Sequence, residues 1–70
     1  MTNHRKIVLD YLMQETAFTE AQSFVDRIQE INESFETVPE EVIDSYGELN
    51  EYELWEIIRK LACEGKRRNK

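Results

Sequence analysis

Apolar residues recur along this chain at helical spacing, and no stretch sustains the every-second-residue alternation of a strand. Ile7, Val8, Tyr11 and Leu12 fall at i, i+1, i+4 and i+5, one face of a helix over about residues 3–14 that Thr2 or Asn3 can cap. The stretch ETAF then interrupts the pattern. A second helix is expected over about 20–35, opened by Thr19 and Gln22 as a T-x-x-Q capping box. Behind that box come Ala21, Phe24, Val25, Ile28, Ile31 and Phe35. Phe24, Ile28, Ile31 and Phe35 are spaced as a heptad seam, although Asn32 and Ser34 weaken the last turn.

The third element is short, about 39–46. Thr37 and Glu40 repeat the capping signature, and Pro39 suits a first turn because its missing N–H is not needed there. Val42, Ile43 and Tyr46 should face inward, and Gly47 should stop the helix in a left-handed conformation. A fourth helix over about 51–64 follows Asn50, with Glu53 at the third position and Leu49 placed to staple onto Leu54. Leu54, Trp55, Ile58, Leu61 and Ala62 are its expected apolar face, and Gly65 its stop. The pattern predicts an all-α fold, a small bundle of four helices, or of three if 39–46 is irregular. Residues 1–65 would form a single helical domain and 66–70 a basic flexible tail.

Length sharpens this picture. Seventy residues support one domain with a marginal core. The single Cys63 excludes an internal disulfide, which small secreted domains usually need, and no apolar run has the length of a membrane span. No N-terminal apolar run has the form of a signal peptide. The expectation is a cytoplasmic protein that meets no membrane.

Charge changes the picture more. Residues 28–58 hold ten acids and no base, whereas 59–70 hold six bases and one acid. Helical surfaces commonly mix signs, because opposite charges at i, i+4 are mildly stabilising. Thirty-one consecutive residues here forgo every such pair, at a cost in self-repulsion. Either these are ordinary solvated helix faces, or they form a surface for a basic partner.

Catalytic chemistry finds little support. One His and one Cys are present, His4 near a terminus and Cys63 beside a core position as a small hydrophobe. Zinc needs more Cys or His ligands than that. In IDSYGELNEYE the spacing of Asp44, Gly47, Glu48, Asn50 and Glu53 departs from a calcium loop, since Tyr46 stands where a ligand belongs. No glycine-rich phosphate loop occurs. The expectation is no enzyme, no metal and no cofactor. Arg59, Lys60, Lys66, Arg67, Arg68 and Lys70 could touch nucleic acid only weakly and without sequence preference.

Asp10–Met13 reads DYLM, and Glu41, Tyr46, Lys60 and Leu61 follow at family-like spacing. These eight residues of the seventy resemble the small helical Hha/YmoA proteins, which modulate the nucleoid protein H-NS. The family's Asp-His-Arg and Ala-Glu-Leu motifs are missing, and Gly47 with Asn50 would break the long helix that carries them. The resemblance implies an adaptor of a nucleoprotein complex with its basic C-terminal tail near DNA.

The first functional expectation is a regulator or inhibitor that binds another protein with a basic surface, as a nucleic-acid mimic of phage or mobile-element type. Glu40, Glu41, Asp44, Glu48 and Glu51 would supply the charge and Tyr52 an aromatic anchor. The adaptor is the second. The third is a homodimerisation module, through Phe24, Ile28, Ile31 and Phe35, or through Ile57 and Tyr52 on the fourth helix.

Overall fold

The computed structural model describes residues 3–69; Thr2 as a cap and the cation of Lys70 lie outside them. Four helices make up the fold: α1 His4–Glu15, α2 Ala21–Asn32, α3 Glu40–Gly47 and α4 Glu51–Arg68. Among the described residues there is no strand. No helix among the described residues is long and apolar enough to cross a membrane.

The hub is α1, which packs on α3, α4 and α2. Its placement explains its composition. Val8 and Leu12 are fully buried, and Ile7, Leu9, Tyr11 and Met13 pack partly against the core, so α1 is apolar around most of its circumference, as a surrounded helix must be. Asn3 caps it, its side chain accepting from the Lys6 N–H at 3.0 Å. The core is completed by Ile31, Val38, Val42, Ile57 and Leu61.

Of the three expected capping sequences, only Asn50–Glu53 at α4 forms a box. Asn50 accepts from the Glu53 N–H at 2.8 Å, and Glu53 accepts from the Asn50 N–H at 3.2 Å. At α2 the N-cap is Glu20 and at α3 it is Pro39, neither with a side-chain cap bond. The Thr19–Gln22 and Thr37–Glu40 boxes are therefore not formed. The turn before α2 is closed instead by Ser23, whose hydroxyl accepts from the Ala17 N–H at 2.8 Å.

The end of α2 falls three residues short of the predicted 35. Ser34 adopts φ 54°, in the left-handed region. The Phe35 N–H bonds to the Glu30 carbonyl and the Ser34 N–H to the Ile31 carbonyl, both at 3.1 Å, which is a Schellman closure with serine where glycine is usual. A side chain in that conformation costs about 1–2 kcal/mol, partly offset by the larger unfolded-state freedom of glycine. Ser34→Gly should therefore stabilise the fold by about 0.5–1 kcal/mol. At roughly 4–8 °C per kcal/mol, the rise is readable in a thermal melt followed by circular dichroism.

The two glycine expectations fare differently: α3 does stop at Gly47, though not in a left-handed conformation, and the stop expected at Gly65 is overturned. Gly47 is the last residue of α3 and neither glycine has positive φ. Gly65 lies inside α4, which continues to Arg68, so Lys66, Arg67 and Arg68 are helical and not part of a flexible tail. The cause is tertiary. The Phe18 ring lies where a side chain at 65 would make ordinary contact, at 3.7 Å. The Arg68 guanidinium sits 4.6 Å over that ring, and Asn69 donates to the Phe18 and Gly65 carbonyls. Glu64 holds Arg67 and also Arg68, the latter at 2.7 Å.

Those guanidinium bonds keep the Glu64 carboxyl below its ordinary value of 4.5. A carboxyl depressed in the folded state contributes stability that is complete above 4.5 and is lost as pH falls through the lower folded value. On acidification below that point the amides of Arg68 and Asn69 should move in NMR spectra before those of Ile57. Glu64→Gln should abolish this early step.

Candidate protein-binding surface

The predicted acidic site is built around α3. Val42 and Ser45 are buried, with Ile43 and Tyr46 partly buried beside them. A helix that turns those four inward turns the remainder outward. The outward set is Glu40, Glu41, Asp44 and Gly47, continued by Glu48 at the C-cap, and all five are exposed. Glu40 and Glu41 occupy the first turn, where the helix dipole favours negative charge. Glu48 and Glu51 then carry the acidity across a short connection onto the start of α4.

Three of the ten acids in 28–58 have internal work. Arg27 holds Glu30 at 2.8 Å, Arg5 holds Glu56 at 2.8 Å, and Glu53 serves the capping box. Glu33, Glu36, Glu40, Glu41, Asp44, Glu48 and Glu51 have no ion-pair partner among the described residues. The outward side of α3 therefore gathers Glu40, Glu41, Asp44 and Glu48, and Glu51 is exposed at the start of α4. Glu33 and Glu36 sit apart on the α2–α3 connection.

The aromatic side differs from expectation in one respect. Tyr52 is 70% exposed, as expected, but Trp55 is also 65% exposed, and Ala62 and Cys63 are exposed too. The buried face of α4 is centred on Ile57 and Leu61, with Leu54 and Ile58 beside them. Ile57 has no accessible surface, so it cannot take part in the dimer contact expected of it. The signal was present in the sequence: Leu54, Ile57, Ile58 and Leu61 stand at i, i+3, i+4 and i+7, a better helical row than one drawn through Trp55.

The second predicted set, on α2, does not form one exposed seam. Ile31 is buried in the protein's own core, and Phe24 and Ile28 pack against it. Phe35 lies beyond the helix end at 45% exposure.

One constellation escaped sequence reasoning. His4 Nδ1 lies 3.3 Å from the Ser45 hydroxyl, joining α1 to α3 across 41 positions of sequence. A serine beside a histidine has the parts of a nucleophile and base. Ser45, however, is 2% exposed, which leaves no approach for a substrate to its hydroxyl. The pair ties two helices together and satisfies a buried polar atom.

No cluster of three or more His, Cys, Asp or Glu side chains able to hold a metal occurs among the described residues. No protein-family model, curated protein or solved structure matches this chain. The positions that resemble Hha/YmoA proteins are divided between helices: Glu41 and Tyr46 on α3, Lys60 and Leu61 on α4. The break at residues 48–50 removes the single long helix that the resemblance requires.

Proposed function

We propose that this protein is a non-enzymatic regulator or inhibitor that binds a basic, nucleic-acid-binding protein through α3 and the start of α4. The reading rests on the outward side of α3. Glu40, Glu41, Asp44 and Glu48 project from it with only Gly47 among them, and no cation among the described residues pairs with any of them. From Glu40 to Glu48 a helix rises about 12 Å, so the four carboxylates present one charge per roughly 3–4 Å. A single DNA strand presents one per about 3.4 Å. A groove shaped for a phosphate backbone would meet a comparable line of charge here, and Tyr52, exposed at the start of α4, offers an anchor of a type enriched at binding hot spots.

The adaptor reading receives less support. Two of its C-terminal cations, Arg67 and Arg68, are already bound to Glu64, which lowers the charge available to phosphates.

Immobilised protein should retain basic proteins from a lysate at low salt, release them in a salt gradient, and compete with nucleic acid for them. A Glu40→Lys, Glu41→Lys, Asp44→Lys variant of unchanged helicity should retain none of these. Retention of the same proteins by that variant would exclude α3 as the binding surface.

A further inference from the structure

We propose that two copies of this chain pair through the exposed side of α4, antiparallel, as a closed dimer. This surface shares Glu51 and Tyr52 with the acidic surface proposed above but does not include Glu40, Glu41, Asp44 or Glu48. Tyr52, Trp55, Arg59, Ala62 and Lys66 are all exposed and are spaced 3, 4, 3 and 4 residues apart, the row by which one helix meets another. Two of the five are large aromatic rings, and they are the most exposed large hydrophobic residues of the described chain.

Charge selects the occupant and its direction. Residues 51–58 of α4 carry Glu51, Glu53 and Glu56 and no base. Residues 59–68 carry Arg59, Lys60, Lys66, Arg67 and Arg68 against Glu64 alone. A parallel pair would place like charge on like. An antiparallel pair lays the acidic half of each helix over the basic half of the other, so the helix is its own complement.

Register follows from size. With the two-fold beside Ile58 and Arg59, Trp55 of one copy meets Ala62 of the other, a large side chain over a small one. The same register sets Glu51 against Lys66. Arg59 lies nearest the axis, and its long side chain must extend outward to keep its charge in water. Alongside the row runs an open groove of about 670 Å³ lined by Met13, Tyr52, Glu56, Lys60 and Cys63, which gives the partner helix a concave flank. A specific dimer covers about 800 Å² per subunit. That is roughly 15% of the 5198 Å² surface. The helix that would supply it has 18 residues and is the longest in the chain.

The test is sedimentation of the full chain over a range of concentrations, read together with the emission of Trp55, the single tryptophan. The expected result is a closed species of twice 8.4 kDa, with emission moving to shorter wavelength as the dimer forms. Trp55→Lys should remain monomeric while keeping its helicity, since the side chain is largely exposed. Glu51→Lys and Lys66→Glu should each weaken the dimer about tenfold, because each puts like charges together twice. The chain carrying both changes should recover wild-type dimerisation, which only an antiparallel pairing allows. A chain that stays monomeric throughout overturns the proposal. So does a dimer indifferent to Trp55→Lys and to the charge variants, or open-ended growth, which would mean a head-to-tail contact.

Discussion

Replacing Ile57 by alanine should remove a large share of the protein's stability, whereas replacing Trp55 by alanine should scarcely change it. The two side chains are one half-turn apart on α4 and have opposite surroundings. Ile57 has no exposed surface and packs into the cluster of Val8, Leu12, Ile31, Val38, Val42 and Leu61. Truncating a buried isoleucine costs about 2–5 kcal/mol, because the lost transfer energy is joined by the cost of the cavity. A domain of this length has only roughly 4–10 kcal/mol in hand at the usual stability per residue. Trp55 is larger but 65% exposed, so little of its surface leaves water when the monomer folds. Denaturant midpoints should therefore fall steeply for Ile57→Ala and stay near wild type for Trp55→Ala at concentrations where the chain is monomeric. The reverse order would place α4 in the wrong rotation about its axis.

The Glu40→Lys, Glu41→Lys, Asp44→Lys variant should lose its grip on a basic partner by roughly 30- to 1000-fold while folding as before. Exposed ion pairs contribute about 0.2–1 kcal/mol each. Reversal replaces three attractions with three repulsions, a change of roughly 2–4 kcal/mol in all. For folding, two effects oppose each other. Lysine in the first turn of α3 is unfavourable to the helix dipole by about 0.3–1 kcal/mol per residue. The variant, however, replaces same-sign spacing on α3 with a mixture against Glu48, which relieves repulsion. The net effect is a modest fall in melting temperature with helicity at room temperature close to wild type, and that separates loss of binding from loss of fold. Salt gives a second readout. The Debye length shrinks from about 10 Å at 0.1 M to about 3 Å at 1 M. Wild-type binding should fall steeply over that range, and any residual binding by the variant should not. A partner held equally well in high salt would be held by something other than α3.

The dimer leaves Glu40, Glu41, Asp44 and Glu48 uncovered but engages Glu51 and Tyr52 of the proposed acidic surface. In the antiparallel arrangement α3 stays free on each copy, so a dimer would offer two acidic faces. Glu51 and Tyr52 belong to both surfaces, which makes them the residues whose substitution should affect both measurements.

Much of this protein is legible in its sequence alone. Helical spacing determines four helices, their order and all but their ends, because an apolar residue every third or fourth position can be buried only by a helix. The Asn50–Glu53 box and a cap from Thr2 or Asn3 are local chemistry visible in the sequence, and Asn3 is the cap that forms. The one-signed run of charge is likewise a property of the sequence. Its coherence on one side of α3 follows from putting Val42, Ile43, Ser45 and Tyr46 inward. What only the tertiary structure decided is where elements meet. Gly65 reads locally as a stop, yet α4 passes it because Phe18, 47 positions earlier, packs against the glycine and under Arg68. Ser34 reads as a weak helical residue but takes the left-handed turn that lets the chain double back and bury Val38. The His4–Ser45 contact and the exposure of Trp55 depend on how α1 is surrounded by the other three helices. Hydrophobic periodicity determines that a helix has a buried side; the neighbours that compete to cover it decide which side that is.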